Sequence, residues 1–238
     1  ILVIACGAIV AWEWGRLVRG SGSDAIAVLQ ALTVAAIAIF VTLGRFDVAA
    51  GALLLATGGT IGFGLVSGQL AWSIAGLFYS VLPAWAMVWL RSDQRYGTLA
   101  VLFLFVVSWA TDTASFAGGR AIGGPKFAPR VSPRKTWSGL IVGTLTPALA
   151  GFAFAVGLHE HSVWPLALVS IAIAVFGQIG DLGESAVKRR FGTKDMSQLI
   201  PGHGGLLDRI DGLLIASLAA ALIALRDPAS PGRGLLIW

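Results

Sequence analysis

The chain has 238 residues, of which 56% are hydrophobic and 12% are charged, and its formal net charge at pH 7 is +5. An average soluble domain carries about 25% charged residues, so this composition excludes an ordinary soluble globular protein. The single cysteine and the absence of asparagine also exclude disulfide bonds within the chain, cysteine-based metal clusters and N-glycosylation.

Apolar segments follow one another along the whole chain, most of them long enough to cross the roughly 30 Å hydrocarbon core of a bilayer. Eight can be drawn, at residues 1–15, 24–43, 46–67, 69–90, 97–117, 137–158, 163–187 and 204–225. They predict an all-α, polytopic integral membrane protein with about eight transmembrane helices.

The basic residues indicate an orientation in the membrane. With eight crossings, Arg16 and Arg19 lie on the same side as the loop 120–135 and the segment 188–194, and this side then holds eleven Lys and Arg residues against five on the other. The more basic side is expected to face the cytoplasm. A positive charge of this kind suits an anionic membrane surface, so no nucleic-acid partner is predicted.

The first polar region runs from Ser108 to Gly139. Asp112 follows the apolar run LAVLFLFVVSWAT and is therefore expected at or inside the membrane boundary. An ionisable group there costs at least about 2.5 kcal/mol, which favours a functional role. The alternative is a structural ion pair with Arg120 or with a neighbouring helix.

The rest of this region is a loop rich in glycine, proline and basic residues, with the hydroxyls of Ser132 and Thr136 beside Lys135. Backbone N–H groups and cations together are what an anionic phosphate needs. Anchoring of the loop to lipid headgroups is an equally supported alternative.

The second polar region begins at Asp181. Asp181, Glu184, Ser185 and Lys188 follow the spacing i, i+3, i+4 and i+7, so on a helix they share one face. A break containing glycine and proline follows, and then an i, i+3 pair of carboxylates on a second helix, Asp208 and Asp211.

Carboxylates and cations together indicate a metal ion that links the protein to substrate phosphates. Mg²⁺ fits best because it prefers oxygen ligands and is usually held by one or two carboxylates plus phosphate oxygens. The sequence therefore predicts a polar cavity, open to the cytoplasm, with Mg²⁺ as cofactor and a second, monovalent cation such as K⁺ as an open alternative.

The two polar regions resemble the signature of phosphatidate cytidylyltransferases, also called CDP-diacylglycerol synthases. The matching positions are Ser185–Arg189, Lys194-Asp195, Ser197, Ile200-Pro201, His203–Leu206 and Asp208–Asp211, with Thr111–Gly124 and Ser132–Gly139 upstream. Two mild departures are Phe116, where the family commonly has Tyr, and Arg134, where it commonly has Lys. The resemblance covers roughly residues 108–212.

The resemblance implies a reaction in which phosphatidate and CTP give CDP-diacylglycerol and pyrophosphate, with Mg²⁺, at the cytoplasmic face of a bacterial inner membrane. CTP and phosphatidate are then the partners, together with membrane lipid, and a homodimer is an open alternative. It also implies a division into N-terminal transmembrane helices at residues 1–95 and a catalytic region at residues 96–238, within a single membrane domain.

Roles for individual residues follow from the resemblance as hypotheses. The predicted metal ligands are Asp181, Asp208 and Asp211, which are catalytic together with Lys188 and Lys194. The predicted substrate-binding residues are Asp112, Arg120, Ser132, Lys135, Thr136, Ser185, Arg189, His203, Gly204, Gly205 and Arg209.

Two other readings stay open at this point. A related CTP-using enzyme, such as a CDP-archaeol synthase or a polyprenol kinase, would make similar demands with another lipid. An ion-coupled transporter would also place charges in the membrane, but it predicts inverted repeats, and the sequence shows no repeat of fixed period.

Overall fold

The computed structural model describes residues 1–202 and 204–238. These residues form ten helices and one short hairpin. The helices are α1 (Leu2–Arg19), α2 (Ala25–Thr42), α3 (Phe46–Ser67), α4 (Leu70–Arg91), α5 (Gly97–Ala121), α6 (Trp137–Leu145), α7 (Pro147–Gly157), α8 (Trp164–Arg190), α9 (Leu207–Ala224) and α10 (Pro231–Leu236). The strands are β1 (Lys126–Ala128) and β2 (Ser132–Thr136).

Each predicted apolar segment coincides with a helix, except that the segment 137–158 forms two. The chain passes from α6 to α7 at Thr146, and Pro147 occupies the first turn of α7, where its missing N–H costs no helical hydrogen bond. The prediction of an all-α membrane protein is confirmed.

Six helical segments among the described residues are long and apolar enough to cross a membrane, with α6 and α7 counted together. The first and last predicted spans are also helices, α1 and α9, but each contains three charged residues and neither belongs to these six. The structure thus supports a multi-pass membrane protein, and the eight-crossing topology stays a prediction.

The chain divides into two compact units. The first contains Ile1–Trp89 and Lys188–Ile210, and the second contains Leu90–Val187 and Asp211–Trp238. The division at residue 95 drawn from the sequence concerns function and stays a prediction.

In the first unit, α2 packs against both α1 and α3. Buried aliphatic side chains of α2 and α4 form the core, among them Val34, Ile37, Leu77 and Val81. The helix α2 begins where the Asp24 side chain accepts a hydrogen bond from the Ala27 N–H at 2.8 Å, which satisfies one of the unpaired donors of the first turn.

In the second unit, α5 packs against α6, α7 and α10. Gly118 of α5 lies directly against Val142 of α6, so the two backbones approach closely, as is common between helices in lipid. The antiparallel hairpin of β1 and β2 lies between these helices in the chain and ends at Thr136, whose side chain accepts from the Gly139 N–H at 3.2 Å and caps α6.

The short helix α10 is held by Asp93, which lies in the loop before α5. Its carboxylate accepts hydrogen bonds from the Ser230 hydroxyl and from the Arg233 N–H. Burial opposes the charged form, but these bonds and two from its own loop outweigh it and lower the pKa of Asp93.

The helices α8 and α9 cross within the second unit at glycines. A Cβ atom added to Gly180 would lie 2.8 Å from Ile215 Cγ1 and 3.0 Å from the Asp211 carbonyl oxygen, and one added to Gly212 would lie 3.2 Å from the Gly177 carbonyl oxygen. The crossing therefore depends on the absence of side chains at these positions.

We predict that Gly180→Ala destabilises the protein and that Gly183→Ala does not. The added methyl of Gly180→Ala must displace Ile215 or the α9 backbone, which costs about 1–3 kcal/mol of unfolding free energy. Gly183 lies three residues further along α8, and a Cβ there meets nothing within 4 Å. Thermal unfolding of both variants in the same detergent measures the difference, and equal stability would contradict the proposed crossing.

Candidate active site

The first unit contains a buried ion pair between the end of α8 and the start of α9. The Lys188 ammonium donates to Asp208 Oδ1 at 2.6 Å, and the two side chains are only 13% and 8% exposed. A cation in the last turn of a helix and an anion in the first turn both interact favourably with the helix dipoles. The helix dipoles therefore stabilise the charge of Lys188 at the end of α8 and the charge of Asp208 at the start of α9.

The second oxygen of Asp208 organises the loop before α9. Asp208 Oδ2 accepts hydrogen bonds from the backbone N–H groups of Met196 at 2.9 Å and Gly205 at 2.7 Å. Both carboxylate oxygens of Asp208 are thus engaged by groups of the protein, and the Gly205 N–H is directed at Asp208.

Glycine is required at two successive positions of this loop. Gly204 has a φ of +85°, which L side chains rarely adopt, and an added Cβ would lie 2.9 Å from Asp208 Oδ2. At Gly205 an added Cβ would lie 2.8 Å from the Glu13 carboxyl carbon. The groups that the backbone approaches at these two glycines are carboxylates of the protein, and a substrate-binding role for both glycines stays a prediction.

Glu13 of α1 is a residue that the sequence analysis did not place in the site. It is fully buried, and its carboxylate accepts three hydrogen bonds: from the Ser197 hydroxyl at 2.6 Å, the Leu206 N–H at 2.9 Å and the Leu207 N–H at 2.7 Å. The sequence feature that could have identified Glu13 is an ionisable residue inside an apolar segment. The same feature indicated a role for Asp112.

Cations surround this loop at the protein surface. Arg189, Lys194 and Arg209 are exposed, and Arg189 donates to the Thr193 carbonyl oxygen at 3.2 Å. Their side chains are accessible to an anionic ligand, and a cation that binds a substrate phosphate must be accessible in this way.

The second unit contains a separate polar cluster on α5, β2 and α8. The Lys135 ammonium donates to Asp181 Oδ2 in a short ion pair, and Asp112 interacts electrostatically with both residues. Within the described part of the chain, Asp112 forms no ion pair with Arg120, and a structural pairing with a neighbouring element stays an alternative to a functional role. Two carboxylates therefore share one lysine.

The hairpin separates its basic residues into two groups. Lys135 is directed at Asp181, and the Thr136 cap on α6 fixes the end of its strand. Lys126, Arg130 and Arg134 are exposed instead. The loop therefore offers one cation to the carboxylate cluster and three to the surroundings.

The structure distributes the predicted site residues over both units. In the first unit lie Lys188, Arg189, Lys194, Gly204, Gly205, Asp208 and Arg209, and in the second lie Asp112, Arg120, Ser132, Lys135, Thr136, Asp181, Ser185 and Asp211. His203 lies outside the described residues. Asp211 accepts a hydrogen bond from the Gly212 N–H at 2.8 Å.

The carboxylates of the second-unit cluster are compatible with a divalent cation that phosphate oxygens also bind. No three His, Cys, Asp or Glu side chains in residues 1–202 and 204–238 converge on one point. Mg²⁺ needs only one or two carboxylates when phosphate oxygens complete its shell, and Asp112 with Asp181 offers that set. The roles of Asp208 and Asp211 as direct ligands stay predictions.

Comparison with known proteins agrees with these features. Residues 1–225 match the model of the family described as the cytidylyltransferase family. The chain belongs to this family. A protein named phosphatidate cytidylyltransferase from Brucella suis biovar 1 (strain 1330) is 45% identical over 172 residues, which are 72% of this chain and 61% of the relative.

Two further relatives carry the same name. The one from Haemophilus influenzae (strain ATCC 51907 / DSM 11121 / KW20 / Rd) is 42% identical over 52% of this chain and 45% of its own length. The one from Rickettsia typhi (strain ATCC VR-144 / Wilmington) is 32% identical over 64% of this chain and 70% of its own length. The chain spans 61% of the length of the Brucella relative.

We predict that Lys188→Met destabilises the protein by about 3 kcal/mol, because removing one partner of a buried pair leaves an uncompensated charge on the other. Lys194→Met removes the same group from an exposed position of the same unit and is expected to change the unfolding free energy by less than about 0.5 kcal/mol. Thermal unfolding in detergent compares the two, and equal effects would contradict the buried pairing of Lys188 with Asp208.

Proposed function

We propose that this protein transfers a cytidylyl group from CTP to phosphatidate and releases CDP-diacylglycerol and pyrophosphate. The observation that carries the proposal is the cluster of Asp112, Lys135 and Asp181 on membrane-associated elements. Membership of the cytidylyltransferase family and the names of the relatives support the choice of CTP and phosphatidate.

The reaction explains why carboxylates and cations lie together. A phosphate oxygen of the lipid forms a bond with the α-phosphorus of CTP, and the bond from that phosphorus to the β-phosphate oxygen breaks. Two polyanions must approach each other in line, so catalysis consists mainly of positioning and of charge neutralisation. No covalent intermediate on the protein is required.

Asp181 would hold Mg²⁺, with Asp112 beside it and with Asp208 and Asp211 as further predicted ligands. The ion, when bound, would neutralise phosphate charge and polarise the reacting phosphoryl group. Lys135 orients the Asp181 carboxylate and adds a positive charge to the cluster. Lys188, Arg189 and Lys194 are assigned to phosphate contacts, with Ser132, Thr136 and Ser185 as hydroxyl donors.

A membrane location suits these substrates because the lipid phosphate lies at headgroup depth and CTP arrives from water. The excess of basic residues on one side supports an active site that faces the cytoplasm of a bacterial cell. The eight-crossing topology, with α1 and α9 both spanning, belongs to the same proposal.

The purified protein, incubated with phosphatidate and labelled CTP, is expected to form CDP-diacylglycerol and pyrophosphate in equal amounts. Removal of divalent cations with EDTA should abolish product formation, and added Mg²⁺ should restore it, because phosphate charge is otherwise unneutralised. An archaeal ether-lipid phosphate and a polyprenol serve as alternative acceptors. Product formation with either of them but not with phosphatidate would overturn the proposal, and activity unaffected by EDTA would overturn the metal.

We predict that Asp181→Asn lowers turnover at least about 100-fold while the protein still folds and inserts, because the amide is a poor metal ligand. Asp208→Asn should lower turnover as strongly. Asp47→Asn, on an exposed carboxylate that pairs with Arg45, makes the same chemical change at a residue outside both clusters and should retain wild-type turnover. Near-wild-type activity of Asp181→Asn would remove Asp181 from the metal site.

A further inference from the structure

Glu13 is a fully buried carboxylate on α1, far in sequence from the loop that it contacts. Its three hydrogen-bond donors belong to Ser197, within the loop between α8 and α9, and to Leu206 and Leu207, where α9 begins. Each carboxylate oxygen accepts a hydrogen bond from a backbone N–H at the start of α9, Oε1 from Leu206 and Oε2 from Leu207. Both oxygens of Glu13 thus bind this backbone.

The loop held in this way presents the Lys188–Asp208 pair. Asp208 lies directly after Leu207 and itself binds the backbone of Met196 and Gly205, so hydrogen bonds connect the middle of the loop to the start of α9. The Ser197 hydroxyl also accepts from the Leu199 N–H at 3.1 Å, and the Ile200 N–H donates to the Gly204 carbonyl oxygen at 2.9 Å. Glu13 is the member of this set that comes from another helix.

The N-terminal end of α9 is the physical reason for a carboxylate at this position. The first N–H groups of a helix have no partner within the helix, and they carry the positive end of its dipole. Glu13 accepts hydrogen bonds from two such donors, the N–H of Leu206 just before α9 and the N–H of Leu207, the first residue of α9. A neutral side chain of the same size would leave a donor of its own facing a backbone donor, which buried sites rarely tolerate.

We propose that Glu13 is a positioning residue, which holds Ser197 and the start of α9 in the arrangement that places Asp208 and Lys188 for catalysis. Glu13 touches no substrate in this proposal and acts only through the loop. The part of the proposal that concerns catalysis rests on the proposed cytidylyl transfer, whereas the anchoring of the loop does not.

The structural half is tested by hydrogen–deuterium exchange of the detergent-purified protein, followed in a peptide that contains Leu206 and Leu207. In Glu13→Gln, exchange in this peptide should become at least ten-fold faster, because the amide cannot accept at both oxygen positions. Asp47→Asn converts an exposed carboxylate of the same unit in the same way and should leave this peptide unchanged. Wild-type exchange in Glu13→Gln would overturn the anchoring.

The catalytic half is tested by kinetics of the folded fraction, with CTP as the varied substrate. We expect Glu13→Gln to lower kcat/KM for CTP at least ten-fold, and Glu13→Asp, which keeps the charge but is one methylene shorter, to lie between it and the wild type. A purely structural role would reduce the yield of folded protein and leave kcat and KM of that fraction unchanged. Faster exchange with unchanged kinetics would therefore overturn the positioning role.

Ser197→Ala provides a milder variant if Glu13→Gln does not fold. It removes one donor and leaves the bonds to Leu206 and Leu207, so kcat/KM should fall by less than in Glu13→Gln, by about two- to five-fold. If the wild type itself makes no CDP-diacylglycerol, the proposed function and the positioning role are both overturned, and the exchange measurement still decides the anchoring.

Discussion

The cost of an unpaired charge in an apolar surrounding is the constraint on which this structure depends. A charged side chain at the centre of a bilayer costs at least about 2.5 kcal/mol, and more when it has no partner. Three carboxylates illustrate how this cost is met: Glu13 binds the start of α9, Asp208 binds Lys188 and two backbone N–H groups, and Asp181 binds Lys135. The polar groups thus define the conformation of the segments between the helices.

Close helix packing is the second consequence of a membrane surrounding, in which apolar side chains gain little by leaving lipid. Association then relies on contact between backbones, and glycines supply it at Gly118 between α5 and α6 and at Gly180 between α8 and α9. The second of these contacts lies one residue before Asp181, so the packing that joins two helices also fixes a carboxylate of the polar cluster. The proposed role of Asp181 therefore couples function to stability at this crossing.

The helices could be predicted from apolar segment length alone, and α2 at Ala25–Thr42 agrees with its segment at 24–43 to within one residue at each end. Helical spacing likewise identified Asp181 and Lys188. The contact of Glu13 with Ser197 could not be predicted, because it joins residues 184 positions apart and no local pattern specifies such a pairing. The pairing of Lys135 with Asp181 could not be predicted for the same reason. From composition alone, Lys135 was equally suited to bind a lipid headgroup.

The balance of charge distinguishes the two polar groups and supports the assignment of the metal to one of them. Asp208 and Lys188 form a pair of equal and opposite charges, and the remaining Asp208 oxygen is occupied by backbone donors. Asp112 and Asp181 share the single cation Lys135, which leaves one negative charge without a partner in that cluster. A divalent cation that also binds phosphate would balance this charge when the substrate arrives, since the phosphates bring the negative charge that the ion still lacks. For this reason the proposal places Mg²⁺ first at Asp181, with Asp208 as a further predicted ligand whose own loop is held by its backbone hydrogen bonds.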